Sequence, residues 1–156
     1  MGNSEPLAKH HQLHGVQPVL PVPDVAAAAD WFVRVLGFTL DFLHGEPPYV
    51  HGRVKLGDRS HGDPIYIHLS RNEGLIQPCG ETRLHVGHDI DGLHAHVAAQ
   101  MVAQAATQAA TQAVAQGGTV LQPPTNQPWG LREFVVQAPG GHRLVLGAEA
   151  PRTPLG

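Results

Sequence analysis

The strongest constraint in this sequence is a pattern of punctuation that occurs twice. The run "VQPVLPV" (16–22) is β-branched and broken by prolines, which suits an edge strand. Asp24 follows as a helix N-cap, and Val25, Ala28, Phe32, Val35 and Leu36 recur on one helical face. Gly37 then stands where a left-handed cap is wanted. Three strands come next, "FTLDFL" (38–43), "YVHGRVKL" (49–56) and "PIYIHLS" (64–70), parted by Gly, Pro or Asp. The second half repeats that order. "TRLHVGH" (82–88) leads to Asp89, Ile90 and a helix, and after Gly117-Gly118 come "TVLQ", "LREFVVQ" and "HRLVLG". Asp24 falls on Asp89 at an offset of 65, and Tyr49 on Trp129 at an offset of 80. Two β-α-β-β-β modules predict an α+β fold, with the modules at about 15–72 and 81–148 in one domain spanning 15–148. Residues 1–14 and 149–156 read as flexible tails.

Composition narrows the partners. The formal net charge is −3 and no basic stripe is present, so nucleic acid is not an expected partner. The single cysteine, Cys79, excludes an internal disulfide and fits a reducing cytosol. No lysine or arginine adjoins it to lower its pKa, so it reads as a loop thiol. No apolar run approaches the ~20 residues needed to span a bilayer. No signal-peptide core precedes His14, and a soluble cytoplasmic protein is expected. Three of the 12 histidines (His10, His11 and His14) crowd the N-terminal tail.

The second helix contains a four-residue repeat with glutamine at 100, 104, 108, 112 and 116. Alanine and glutamine favour helix, so the repeat prolongs it by several turns. A step of four overshoots a turn by ~40°, so the glutamines wind around the helix and make no fixed stripe. A protruding insertion and a dimer contact both fit.

Alternation sorts the candidate site residues. On 64–70, Tyr66 and His68 share a face opposite Ile65, Ile67 and Leu69, and the apolar face belongs on the helices. On 49–56, Tyr49, His51, Arg53 and Lys55 oppose Val50, Val54 and Leu56. His51 and His68 are therefore expected to meet in one cavity. Trp129, Leu131 and Glu133 share a face in the second module, and the offset of 80 sets Glu133 opposite Arg53. That pair reads either as structural charges or as ligand contacts. Trp129, between Pro128 and Gly130, belongs to a cavity mouth or to the core. His85 is out of phase with Thr82, and His94 and His96 point apart on their helix. The chain lacks a Gly-rich phosphate loop, a nucleophile elbow and a Cys-x-x-Cys pair.

The opening "PVLPVPDVAAAADWFVRVLGF" and the closing "PWGLREFVVQAPGGHRLVLG" resemble the vicinal-oxygen-chelate superfamily of glyoxalase I, extradiol dioxygenases, fosfomycin-resistance enzymes and bleomycin-resistance proteins. The likeness runs from about Val16 to Gly147. It implies the glyoxalase/bleomycin-resistance fold, a curled mixed sheet around a cavity, and a homodimer. The superfamily's metal positions fall on Gln17, Tyr66, Thr82 and Val145. Metal sites need imidazole, carboxylate or thiolate donors, so neither a metal nor another cofactor is expected. The bleomycin-resistance-like branch implies a protein that sequesters a small molecule such as an antibiotic, with no catalytic residues. Its ligand-binding set would be Tyr49, His51, Arg53, Tyr66, His68, Trp129 and Glu133, with Asp41 and Glu46 as further acidic groups. The rival is a metal-dependent lyase or dioxygenase with a site rebuilt on His51 and His68. A scaffold role for the Ala/Gln helix is a third reading.

Overall fold

A computed structural model describes residues 15–74, 80–107 and 118–152. The three N-terminal histidines, Cys79 and the glutamines at 108, 112 and 116 lie outside the described residues. The first module contains β1 (Val19–Val22), α1 (Val25–Leu36), β2 (Thr39–His44), β3 (His51–Leu56) and β4 (Ile65–Arg71). The second contains β5 (Glu81–His85), α2 (Ile90–Thr107), β6 (Thr119–Asn126), β7 (Leu131–Gln137) and β8 (Arg143–Glu149). The fold is α+β with two βαβββ modules, as the punctuation predicts. The strand orders, β1-β4-β3-β2 and β5-β8-β7-β6, are identical under the module exchange. In each sheet the module's first strand pairs parallel to its last, and the other pairs are antiparallel. The sheets remain two four-stranded units and do not close into one. β8 continues through Glu149, one residue into the expected tail.

The paired aspartates do the same work by different geometry. Asp24 caps α1 from an extended backbone, its Oδ1 accepting from Ala27 N at 3.0 Å. Asp89 caps α2 with φ of 59°, and its Oδ1 accepts from Gly92 N at 3.0 Å. Aspartate tolerates that left-handed conformation because its short side chain bonds locally. Such a cap contributes about 1 kcal/mol. Gly37 ends α1 with φ of 74°, as expected, and the Phe38 N–H reaches back to Phe32 O at 3.2 Å.

One hydrophobic core serves both modules. Phe32, Val35, Leu20, Val54, Ile67 and Leu69 of the first pack in the same cluster as Val97, Phe134, Val136, Leu144 and Leu146 of the second. Each such aliphatic or aromatic side chain contributes roughly 1.5–3 kcal/mol on full burial. The face of each sheet that carries the alternate residues points away from this core. Val50 and Leu56, expected on the core side, are 46% and 37% exposed, because β3 begins only at His51 and Leu56 is its last residue. Tyr49, expected with His51, instead packs partly buried against the core, since it precedes the strand and escapes its alternation.

The Pro139-Gly140-Gly141 turn fastens one module to the other. His142, 1% exposed, hydrogen-bonds through Nε2 to the Pro21 carbonyl at 2.7 Å. Gly140 has φ of 85°, and a Cβ there would meet Pro21 O at 2.7 Å, so only glycine lets β1 approach. Replacing His142 by leucine strands a polar group in the seam. A loss of about 1–3 kcal/mol in urea unfolding is the expected outcome. An unchanged midpoint would remove the clasp from this account.

Candidate functional site

The outward face of the first sheet carries a connected polar and aromatic array. Register places His51 and Arg53 on β3 beside Ser70 and His68 on β4, so the imidazoles of His51 and His68 lie on neighbouring strands. Their Nε2 and Nδ1 atoms stand 2.9 Å apart. On its other side His68 Nε2 meets Gln17 Oε1 at 2.6 Å. An amide oxygen only accepts, so His68 Nε2 carries the hydrogen and a neutral His68 offers Nδ1 as acceptor to His51 Nε2–H. Burial, then the nearby His51 and Arg53, hold the His68 imidazole below its ordinary pKa, with Asp41 opposing them. The result is a directional chain from His51 through His68 to Gln17.

Arg53 is immobilised beside this chain. Its Nε donates to Asp41 Oδ2 at 2.7 Å, and its guanidinium lies 4.3 Å from the Tyr66 ring centre and 5.2 Å from that of Phe42. Phe42 in turn stacks on His51, with centroids 5.8 Å apart and planes 12° from parallel. Its ring remains 36% exposed. The array thus offers one partly exposed aromatic ring, stacked on an imidazole and with the Asp41-paired guanidinium over it. Neither Phe42 nor the anchoring role of Asp41 was foreseen. A bulge between Leu40 and Phe42 breaks the alternation of β2, and simple counting cannot locate it.

The second sheet presents a different arrangement. Glu133 is 3% exposed, and its Oε1 accepts from Arg83 Nη1 at 2.8 Å and from Trp129 Nε1 at 3.0 Å. Trp129 itself is 59% exposed, so it stands at the mouth and not in the core. Its indole is oriented by the buried carboxylate, which leaves the ring face open. Val135 and Val145 lie on the same side as Glu133, buried but outside the common core. The expected Arg53–Glu133 pair does not form among the described residues. Arg53 pairs with Asp41 and Glu133 with Arg83, each inside its own module. The two sheets' outward faces flank a shared core and do not confront each other. The match of Gln17 to Thr82 sets β5 one residue out of phase, since Arg83 is the residue that pairs with Val145. Thr82 alternates with Leu84, which packs on the core, while Arg83 faces Glu133.

The structure places the four residues matched to the superfamily's metal positions apart in role. Val145 has no donor atom, Thr82 lies on the core-facing side, and Gln17 is engaged by His68. Tyr66 lies under the Arg53 guanidinium. Among the described residues, no group of three or more His, Cys, Asp or Glu side chains is placed to hold a metal ion. Gln17, His51 and His68 are the set that comes nearest.

Residues 12–146 match the Glyoxalase/Bleomycin resistance protein/Dioxygenase superfamily. The chain belongs to that superfamily. No curated relative matches it. Among solved structures, the bleomycin-binding protein from bleomycin-producing Streptomyces verticillus, complexed with copper(II)-bleomycin, is 28% identical with a TM-score of 0.63. The match covers 89% of this chain and 98% of that one. TioX from Micromonospora sp. ML1 is 23% identical with a TM-score of 0.58, covering 87% of this chain and all (100%) of that one. A bleomycin resistance determinant encoded on the transposon Tn5 is 17% identical at 0.58, covering 89% and 100%. The last two likenesses bear on the fold alone.

The depressed His68 value fixes a sign. A histidine held below its ordinary 6.5 binds fewer protons when folded than when unfolded. Stability is therefore complete above that range and falls as the pH drops through it. Melting temperature should fall between about pH 7.5 and about pH 5.5, and fall less in His68→Gln. An NMR titration midpoint for His68 above its ordinary value would contradict the arrangement.

Proposed function

We propose that the protein sequesters a planar, cationic small molecule of the bleomycin class without transforming it. The observation that carries this reading is the pair of exposed rings, each fixed in orientation by a polar partner. Phe42 is stacked on His51, and Trp129 is held by the Glu133 carboxylate. Fixed aromatic faces bind flat ligands at little cost in side-chain entropy. Asp41 and Glu133 stand near the rings, each already paired with an arginine of its own module. The similarity to a bleomycin-binding protein at 28% identity supports the choice of ligand. Tyr66, His68 and Arg53 hold the first ring's surroundings rigid, and Tyr49 supports them from the core side.

The same reading includes a homodimer acting in the cytoplasm. Within one chain the two ring-bearing faces flank a common core, so a second copy is needed to enclose a ligand between them. Val19 and Leu40, 51% and 48% exposed, offer apolar area for that contact. No helix among the described residues is long and apolar enough to cross a membrane.

A second reading rests on the Gln17–His68–His51 chain, whose three side chains lie within hydrogen-bonding distance in series. Two imidazoles and an amide oxygen would form a rebuilt metal site for a lyase or dioxygenase. Elemental analysis of the protein purified without a histidine tag separates the two. Near-stoichiometric zinc, iron or manganese lost in His68→Ala would favour the enzyme.

Calorimetric titration with metal-free and copper-loaded bleomycin tests the binder directly. Saturable binding is expected, weakened about tenfold or more in Phe42→Ala and in Trp129→Ala, the loss of one stacking contact each. Equal affinity in both variants would exclude the aromatic faces as the site.

A further inference from the structure

A pocket of about 290 Å³ lies at the seam between the modules, lined by Leu36, Phe38, Leu56, Leu84, Leu93 and Leu146 among others. Its volume sits near the lower end of the ~300–1,000 Å³ typical of small-molecule sites. Ile65 and Leu56, at its wall, are each 37% exposed, so large apolar side chains border open space with nothing packed over them. Ile65, Leu84 and His85 also line a neighbouring cavity of about 600 Å³. The apolar recess thus shares three wall residues with a wider chamber that has charged side chains in its lining.

The chamber's wall contains Arg59, Arg83 and Asp63. Arg83 is held by Glu133 at 2.8 Å and by Glu81 at 3.4 Å. Arg59 makes no ion pair or hydrogen bond among the described residues, and its guanidinium has a full complement of donors available. Two guanidinium groups, Arg59 and Arg83, and the His85 imidazole share the wall with one carboxylate, Asp63.

We propose that this seam is a binding site for an anionic amphiphile, an aliphatic chain filling the apolar recess and a carboxylate meeting the Arg59 guanidinium. An apolar recess excludes a bulky polar ligand, and removing an alkyl chain from water drives it in. A guanidinium matches a carboxylate with two parallel hydrogen bonds, which sets the direction of entry. The chamber borders Tyr66 and Arg83, but the recess and the Arg59 guanidinium use neither Phe42 nor Trp129, the rings on which the sequestration reading rests.

The test is calorimetric titration of the full-length protein with decanoate below its micellar range, with decanol and decylamine as head-group controls. Saturable one-to-one binding of decanoate is expected, stronger than that of either control. Arg59→Ala should weaken decanoate binding by about tenfold, the loss of one charge-assisted contact. Ile65→Glu, which puts a like charge at the recess, should abolish it. Circular dichroism would confirm that both surface variants fold, and bleomycin titration should be unchanged by Arg59→Ala. Non-saturable uptake, decanol or decylamine binding as tightly as decanoate, or an Arg59→Ala protein with full decanoate affinity would each overturn the proposal.

Discussion

Burial of both sheets against one shared core is the constraint from which the remaining features follow. Phe32 and Phe134, each fully buried, lie in different modules yet belong to a single apolar cluster. Once each sheet commits one face to that cluster, its alternate residues must look outward. His51, Arg53, Tyr66 and His68 share one such face, and Glu133 and Val145 share another. The clasp from His142 to Pro21 joins residues 121 apart in sequence and holds the two modules in register. Chemistry in this protein is therefore distributed over two surfaces of one rigid body.

Those surfaces are not equivalent, although the strand orders match. The first is built on a hydrogen-bonded chain of two imidazoles and an amide, and a guanidinium already satisfied by Asp41. The second centres on a buried carboxylate that spends its oxygen on an arginine and an indole. On the first surface the His51 ring contacts another imidazole and a phenyl ring. What the two surfaces have in common is an exposed aromatic ring held at a set angle. That shared feature is the physical basis for reading the molecule as a receptor for a flat ligand.

The module plan was legible in the sequence because caps and turns have local causes. Asp24, Gly37 and Asp89 act where the punctuation places them, and the strands deviate from expectation by only a few residues. The His51–His68 contact was legible too, since both residues follow strict alternation within uninterrupted strands. Three features were not. The bulge in β2 brought Phe42 to the face beside Arg53, the phase of β5 exposed Arg83 instead of Thr82, and the shared core separated Arg53 from Glu133. Each depends on tertiary packing or on a backbone irregularity, and neither leaves a periodic trace.

The central claim is that the ligand is held and released unchanged. Its most direct test is to incubate bleomycin with excess protein, denature the complex, and examine the recovered ligand by mass spectrometry. Sequestration predicts a single species with the mass of the starting compound, in the presence or absence of added divalent metal. A new mass that accumulates in proportion to protein, and that disappears in His68→Ala, would show catalysis and contradict the account.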